Sequence, residues 1–184
     1  MSKNKPKWVT HSTEEVYQNK WFKVEKAEVT RPNGEKGDYY TIVSPSVAFI
    51  IPQDNDGGIY LIGQRRYPIN EYSLEIPAGR IEREEPLAAA KRELQEETGF
   101  SAQKWEKLGE FYSANGLLRE KAYVFLATGL KQTGENEQEE EGIDQVVKLS
   151  LEKITEMIRK DEIKDGQTMS SLMLFLAEKG LIKK

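Results

Sequence analysis

A group of acidic residues within a segment of helical character constrains this chain more than any other feature. Glu93, Glu96 and Glu97 occupy positions i, i+3 and i+4 of that segment. If the segment is helical, these side chains project from one face within an arc of roughly 100°. Like charges held so close repel each other unless a cation neutralises them. Because Mg²⁺ prefers carboxylate oxygens, water and substrate phosphates, the simplest interpretation is a helix that holds Mg²⁺ for a phosphate compound.

The ends of this helix can be read from the sequence as well. Pro86 suits the first turn, where its missing N–H is not needed, and Gly99 is typical of a residue that ends a helix. Between them, Leu87, Ala90 and Leu94 recur at helical spacing and are expected to face the core. Most acidic side chains are solvated surface residues, but these lie near the helix C-terminus, where the helix dipole disfavours negative charge. This position supports a binding role independently of the spacing.

Composition limits the class of protein. The 184 residues suffice for one domain with a small appendage, and the net charge of −4 argues against general nucleic-acid binding, which needs a basic surface. The absence of cysteine excludes disulfides, a thiolate nucleophile and cysteine-bound zinc. No apolar run reaches the ~18 residues of a membrane span, and the N-terminus lacks the features of a secretory signal. We therefore expect a cytoplasmic enzyme or binding protein without membrane or nucleic-acid partners.

The rest of the chain alternates irregularly between strand and helix patterns. Residues 1–16 are polar and expected to be loosely ordered, and 131–142 is predicted to be an acidic loop. Two amphipathic helices are predicted at 151–160 and 165–179. The irregular order favours a mixed α/β sandwich over a regular parallel sheet. Strands are predicted at 21–29, 39–43, 47–52, 59–66, 74–79, 105–112, 121–127 and 144–149.

The segment from Gly79 to Phe100 resembles the Nudix box, which combines a glycine, a glutamate and the pattern Arg-Glu-Leu-x-Glu-Glu-x-Gly. One departure concerns Glu84, which follows Gly79 after four residues, one fewer than in the usual pattern. The resemblance implies an α/β fold, the Nudix α/β/α sandwich with a mixed sheet, and an N-terminal β-hairpin or sheet region used for dimerisation. It further implies an N-terminal β region at 1–44, shared between two chains, and a Nudix hydrolase domain at 45–184.

The resemblance also implies a ligand set for the metal. The carboxylates of Glu93, Glu96 and Glu97 and the carbonyl of Ala78 are expected to bind Mg²⁺, with Mn²⁺ as a substitute. Gly79 is expected to permit close approach of the backbone to the metal. These expectations agree with the interpretation drawn from the acidic spacing alone.

Other residues receive supporting or substrate-binding roles from the same resemblance. Arg92 is expected to pair with Glu84, because a guanidinium group can hold a carboxylate through two hydrogen bonds. Residues 64–68 and 162–168 resemble the branch of ADP-ribose pyrophosphatases and nucleoside diphosphate sugar hydrolases. In that branch, the position of Arg66 contacts the diphosphate and that of Glu75 helps to hold the substrate. Trp21 is a candidate platform for the nucleobase, although packing within the N-terminal hairpin also explains aromatic residues there.

The acidic loop is expected to supply a catalytic base. Members of the branch place a glutamate before the corresponding strand, where a mobile loop can deliver it once substrate and metal are bound. Such a base would take a proton from a water aligned on phosphorus. The alignment favours Glu140, with Glu139 and Glu141 as close alternatives.

These observations predict Mg²⁺-dependent hydrolysis of the pyrophosphate bond of nucleoside diphosphate sugars, giving a nucleoside monophosphate and a sugar phosphate. Asn115 stands where the ADP-ribose branch usually has proline, which favours a broader or different preference, such as GDP-mannose. The branch also implies a homodimer whose substrate site is built from two chains. The alternatives are a Nudix-fold nucleotide-sugar sensor without turnover and a hydrolase of dinucleoside polyphosphates or capped RNA ends. The mild acidity and the context of Arg66 and Glu75 disfavour RNA.

Overall fold

The structure, a computed structural model, describes residues 7–182, which fall into two compact units. The first comprises residues 7–45 together with Tyr112–Glu120, and the second comprises Ser46–Phe111 together with residues 121–182. The domain division predicted between residues 44 and 45 stays a prediction, and the inclusion of Tyr112–Glu120 in the first unit was not anticipated from the sequence.

Strands and helices alternate irregularly along the described residues, as the sequence pattern predicted. The four helices are α1 (Pro86–Thr98), α2 (Gln138–Glu141), α3 (Leu151–Arg159) and α4 (Gly166–Glu178). Between residues 7 and 182 the strands are β1 (Val9–Gln18), β2 (Lys23–Thr30), β3 (Lys36–Val43), β4 (Val47–Gln53), β5 (Ile59–Arg66), β6 (Glu71–Glu75), β7 (Ala78–Arg80), β8 (Phe100–Phe111), β9 (Leu118–Arg119), β10 (Ala122–Gln132) and β11 (Ile143–Leu149).

The first unit contains a four-stranded sheet in the order β1-β2-β3-β9. Neighbouring strands are antiparallel except for β3 and β9, which run parallel. The expectation of a loosely ordered N-terminus was wrong for β1, a ten-residue strand paired along its length with β2. Every side chain of β1 is exposed, so this strand is held by its backbone ladder and has no buried face that a sequence pattern could reveal. Residues 1–6 lie outside the described part of the chain.

The second unit is built on a mixed sheet. Its main path runs β11-β5-β4-β10-β8, with β6 paired to β5 and β7 paired to β4. The central pair, β4 and β10, is parallel, whereas the other pairs are antiparallel. The acidic loop expected at 131–142 is shorter than predicted, because β10 extends to Gln132 and α2 forms over its last part.

Helices cover both faces of this sheet, which confirms the predicted α/β/α sandwich. On one face, α1 packs through Ala89, Ala90 and Leu94 against Ala48 and Ile50 of β4. On the opposite face, α3 and α4 contribute the buried residues Ile154, Leu172 and Phe175 to a larger apolar cluster with Phe49, Ile51, Ile59, Leu61, Val124 and Leu126. Buried apolar area of this kind is the main favourable term in folding. None of the helices in the described chain has the length and apolar character needed to cross a membrane.

The helix α1 has the predicted bounds. It begins at Pro86 and ends at Thr98, and Gly99 follows in the left-handed conformation with φ 73°. The Gly99 N–H donates to the carbonyl of Gln95 and so satisfies one of the terminal carbonyls of the helix. The sequence therefore fixes where the acidic face of α1 begins and ends.

Candidate active site

Two carboxylates of α1 lie against Ala78 and Gly79, the first residues of β7, where the chain passes from β6 into β7 (the Ala78–Gly79 turn). Glu97 accepts a hydrogen bond from the backbone N–H of Ala78, with an Oε2–N distance of 2.8 Å. Glu93 lies directly over Gly79, where a Cβ would overlap its carboxylate group. This absence of a side chain at Gly79 is what allows the helix carboxylate and the backbone turn to approach each other.

Both carboxylates are buried. Glu93 is 8% exposed and Glu97 is 5% exposed. Burial is the main cause that raises the pKa of Glu93 to about 7 and the pKa of Glu97 well above its usual value. Nearby carboxylates raise both further, whereas Arg92 lowers the pKa of Glu93 and the Ala78 N–H lowers that of Glu97. The neighbouring donors therefore do not offset the cost of ionising Glu93 and Glu97.

Arg92 connects three of the acidic side chains. Its Nη2 lies 3.0 Å from Oε1 of Glu84 and 2.8 Å from Oε1 of Glu93, and its Nη1 lies 2.6 Å from Oε2 of Glu96. The predicted pair with Glu84 is therefore present despite the shortened spacing after Gly79. Hydrogen bonds to Glu84 and Glu96 and the charge of Glu93 keep the pKa of Arg92 above its usual value, although burial lowers it.

The carboxylate of Glu96 is paired with Arg92, which also binds Glu93. Within residues 7–182, no three acidic or histidine side chains converge as a ready-made metal-binding group. Of the three expected carboxylates, Glu93 and Glu97 lie against Ala78 and Gly79, and Glu93 and Glu96 are bound by Arg92.

Arg66 and Glu75 form a second charged pair on adjacent strands of the same unit. The guanidinium group binds the carboxylate through two nitrogens, and the Nε–Oε1 distance is 2.9 Å. The hydrogen bond to Glu75 raises the pKa of Arg66, and the charges of Glu97 and Asp165 contribute in the same direction. The side chain of Arg66 is 46% exposed and that of Glu75 is 10% exposed, so the arginine can still meet a ligand from solvent.

The candidate bases Glu139, Glu140 and Glu141 all lie in α2 and are exposed. Glu141 is the member of this group whose charge raises the pKa of both Glu93 and Glu97. The role of Glu140 as the catalytic base, which the family resemblance favoured, remains a prediction. Of the three candidate bases, Glu141 is therefore the one whose charge acts on both buried carboxylates.

The segment that leads into α2 is hydrogen-bonded to the C-terminal end of α1. Glu137 donates its N–H to the carbonyl of Glu96 at 2.7 Å, and Thr133 donates through its N–H and its hydroxyl to the carbonyl of Gly99. The side chain of Gln95 donates to Glu135 at 3.2 Å. These contacts were not foreseen, since backbone carbonyls at a helix end leave no mark in the sequence. They tie the base-bearing segment to the helix that carries Glu93 and Glu97.

Trp21 belongs to the first unit, in the turn between β1 and β2. Asn19 accepts hydrogen bonds from the N–H groups of Trp21 and Phe22, and the Lys20 ammonium lies 4.3 Å from the centre of the Trp21 ring. The indole is 51% exposed. Its predicted role in binding a nucleobase stays a prediction.

The donor groups at the Ala78–Gly79 turn suit a hard divalent cation. Two buried carboxylates meet there, while burial and mutual repulsion disfavour their charged forms. Buried charges require pairing or a metal, and carboxylate oxygens are the ligands that Mg²⁺ and Mn²⁺ accept. A cation at this turn would supply the positive charge that the site lacks.

The fold and the acidic turn together define a class of hydrolase, and comparison with known proteins identifies the family. A model of the NUDIX domain matches residues 43–172, and a model described as the nucleoside diphosphate sugar hydrolase N-terminal domain matches residues 8–42. The chain therefore belongs to the Nudix family and is a Nudix hydrolase.

Similar proteins support this assignment along most of the chain. An ADP-ribose pyrophosphatase of Bacillus subtilis (strain 168) is 30% identical over 174 residues, which are 94% of each chain. A methanol dehydrogenase activator of Bacillus methanolicus is 29% identical over 175 residues, again 94% of each chain. A GDP-mannose pyrophosphatase of Yersinia pestis (strain Pestoides F) is 30% identical over 172 residues, 86% of each chain. A crystal structure of an ADP compounds hydrolase has a TM-score of 0.84 and 24% identity, covering 98% of this chain and 100% of that one, and shows the same fold.

Proposed function

We propose that this Nudix hydrolase cleaves the pyrophosphate bond of nucleoside diphosphate sugars in a reaction that depends on Mg²⁺. The observation that carries the proposal is the meeting of two buried carboxylates, Glu93 and Glu97, at the Ala78–Gly79 turn. The names of similar proteins, which include pyrophosphatases of ADP-ribose and of GDP-mannose, support this class of substrate.

In the proposed site, Glu93, Glu97 and the Ala78 carbonyl would hold the cation, and Glu96 would join them if its carboxylate moved away from Arg92. A divalent cation supplies positive charge for the bridging and leaving phosphate oxygens. Arg92 stays paired with Glu84 and keeps the helix face in register with the turn. These roles follow from where the side chains lie and from the oxygen preference of the metal.

The diphosphate is bound by Arg66. Its guanidinium group is partly exposed and is oriented by Glu75, so it can offer its remaining N–H groups to phosphate oxygens. Glu75, which binds Arg66, lies on the same short segment as Ala78, whose N–H donates to Glu97, so one diphosphate can meet both the arginine and the acidic turn. A charge-matched pair of this kind holds the substrate in one orientation relative to the attacking water.

We propose Glu141 as the general base. Its carboxylate is exposed, and the segment that leads into α2 is hydrogen-bonded to α1 at the carbonyl of Glu96, which supports a base that serves a water at the acidic turn. The water loses a proton to Glu141 and its oxygen forms a bond to one phosphorus in line with the bond that breaks. The bridging oxygen leaves with the other phosphate, which gives a nucleoside monophosphate and a sugar phosphate.

The first unit is proposed to serve in dimerisation and in binding the nucleobase. Its β1 strand exposes an unpaired edge, and Trp8, Tyr17, Trp21 and Tyr40 are exposed apolar side chains on the same unit. A second copy of the chain is the proposed partner, and Trp21 is the proposed platform for the base. Light scattering should give the mass of a dimer, and Trp21→Ala should raise KM for nucleotide sugars while kcat changes little.

A panel of substrates tests the proposed function. Purified protein, stripped of metal with EDTA, is incubated with ADP-ribose, GDP-mannose, other nucleotide sugars and a dinucleoside polyphosphate, before and after addition of Mg²⁺. We expect release of a nucleoside monophosphate from the nucleotide sugars only with Mg²⁺, and ¹⁸O water identifies the attacked phosphorus. Preferred cleavage of the dinucleoside compound would favour the other hydrolase activity, and binding without cleavage would favour a sensor.

A further inference from the structure

The segment Glu75–Ala78 is bound on all sides by hydrogen bonds from different elements of its unit. Glu75 is paired with Arg66 of β5, the carbonyl of Pro77 accepts from Ile50 of β4, and the N–H of Ala78 donates to Glu97 of α1. The N–H of Ile76 donates to the hydroxyl of Thr168 in α4 at 3.1 Å. Two residues with proposed roles, Glu75 and Ala78, therefore lie on a segment whose position is set by its neighbours.

Ile76 has no strand partner for its N–H, because it lies between the end of β6 and the start of β7. The residue is 1% exposed, so water cannot replace a missing acceptor. An unpaired buried N–H is unfavourable, and nearly all such groups in proteins are hydrogen-bonded. Thr168, itself fully buried, provides the acceptor across 92 positions of sequence.

The start of α4 holds Thr168 in a defined place. Asp165 is the N-cap of this helix and accepts a hydrogen bond from the Thr168 N–H at 2.7 Å. The β-branched side chain of threonine has few rotamers, so its hydroxyl is directed by the backbone that the cap fixes. Ile163, just before the cap, is buried in the same apolar cluster as Ile76 and Phe175. The motif at residues 162–168 thus joins the C-terminal helix to the Glu75–Ala78 segment.

We propose that Thr168 is a positioning residue for the hydrolase reaction. By holding the Ile76 N–H, its hydroxyl sets where Glu75 meets Arg66 and where Ala78 meets Glu97. The role rests on the proposed function of those residues, since Thr168 itself is fully buried and acts through them. Displacing catalytic groups by about 1 Å can reduce turnover about 100-fold, so the position of this segment matters for rate more than for substrate affinity.

The test compares variants at Thr168 by kinetics and by hydrogen exchange. Thr168→Val keeps the shape of the side chain and removes the acceptor, whereas Thr168→Ser keeps the hydroxyl. At saturating Mg²⁺ we expect Thr168→Val to lower kcat for a cleaved nucleotide sugar about 10- to 100-fold, with KM changed less than about threefold. Thr168→Ser, which keeps the hydroxyl, should retain most of the rate of the unsubstituted protein. Amide exchange at Ile76 and Ala78 should accelerate in Thr168→Val while the amides within α4 stay protected.

Ser171 provides a matched control on the same helix. It is equally buried, and its hydroxyl has no hydrogen-bond partner among the described residues, so Ser171→Ala should leave kcat and the exchange of Ile76 unchanged. The proposal would be overturned if Ser171→Ala lost as much kcat as Thr168→Val, or if Thr168→Ser failed to retain the rate. Unchanged amide exchange at Ile76 in Thr168→Val would also overturn it. If the unsubstituted protein cleaves no nucleotide sugar, the proposed function fails, but the exchange of Ile76 and Ala78 still tests the positioning role.

Discussion

Two acidic helix ends in this protein have the same local design and very different surroundings. The helices α1 and α2 both carry glutamates near their C-terminal ends and are followed by a glycine with positive φ, 73° at Gly99 and 70° at Gly142. In α1, Glu93 and Glu97 are buried beneath the β6–β7 turn, whereas no residue of α2 is buried. The same residue type therefore occupies a low-dielectric site in one helix and solvent in the other.

The difference arises from packing and has a consequence for chemistry. Ala89, Ala90 and Leu94 press α1 against the sheet, and the acids on the adjoining stripe of the helix are drawn into the interior with them. Buried carboxylates demand hydrogen bonds and positive charge, which suits a metal site. Exposed carboxylates keep their freedom and can accept a proton from water, which suits a base. Under the proposed function, α1 therefore suits metal binding and α2 suits base catalysis.

Replacement of Glu97 should have the largest effect. Glu97→Gln keeps an oxygen that can accept the Ala78 N–H but removes the charge that binds the metal. Loss of several kcal/mol of charge stabilisation corresponds to a fall in kcat/KM of about 1000-fold. Steady-state kinetics with a cleaved nucleotide sugar measure the effect, and circular dichroism checks that the fold is retained. A folded Glu97→Gln variant with near-normal turnover would contradict the proposed metal-binding role that distinguishes α1 from α2.

Replacement of Glu141 should sharpen the comparison within α2. Glu141→Gln should lower kcat about 100-fold, at the lower end of what a general base contributes. Glu139→Gln and Glu140→Gln are matched controls, since they make the same change on the same exposed helix, and each should alter kcat by less than about threefold. The pH dependence of kcat in the three variants provides an independent readout. If Glu140→Gln alone lost activity, the base would be the residue favoured by the sequence alignment instead.

A smaller effect is expected at Arg92, which orients three acidic side chains, Glu84, Glu93 and Glu96. Arg92→Lys keeps the charge but cannot contact Glu84, Glu93 and Glu96 together, because an ammonium group lacks the planar arrangement of donors. Partners that orient metal ligands typically affect metal affinity or activity by 10- to 100-fold, and we expect about tenfold weaker activation by Mg²⁺. Lys91→Arg, at the exposed neighbouring position, should leave the Mg²⁺ titration unchanged.

The smallest effect is expected where acidic residues have a cation of their own. Lys148 lies 2.9 Å from Asp54 and 2.7 Å from Asp56, and its hydrogen bonds hold the pKa of both carboxyls below 3.8. A carboxyl group whose pKa is lower in the folded than in the unfolded state stabilises the fold at pH values above its unfolded-state pKa. This stabilisation is lost as the pH falls through the folded-state pKa. Lys148→Met should therefore lower Tm by no more than about 3 °C at neutral pH, and by less in acid. Unchanged activity in this variant would agree with a metal site on α1 and not at Asp54 and Asp56. A large loss of activity would contradict the proposed metal site on α1.

Most of the architecture could be predicted because it is recorded in local patterns. The bounds of α1 follow from Pro86 and Gly99, and the apolar strands of the mixed sheet are visible as runs of buried residue types. β1 was missed because all its side chains are exposed, so its pairing with β2 imposes no periodicity on the sequence.

The site was predictable in its residues but less so in its arrangement. The spacing of Glu93, Glu96 and Glu97 indicated one helix face, yet it could not reveal that Arg92 binds Glu96. The contact between Thr168 and Ile76 depends on which helix covers the end of β6, a tertiary relation that no short-range pattern contains. Such contacts come from the layer packing of the whole unit.

Glu93 and Glu97 are proposed above all to bind a divalent cation at the Ala78–Gly79 turn. Electron paramagnetic resonance of Mn²⁺ measures this directly, because the signal of the free ion diminishes when the ion binds protein. Titration of the metal-free protein should show saturable Mn²⁺ binding that Mg²⁺ displaces and that Glu97→Gln greatly weakens, while Glu140→Gln binds normally. The proposed cation site would be contradicted if the Glu97→Gln variant bound Mn²⁺ as well as the unsubstituted protein does. It would also be contradicted if the unsubstituted protein bound no Mn²⁺ with a diphosphate compound present.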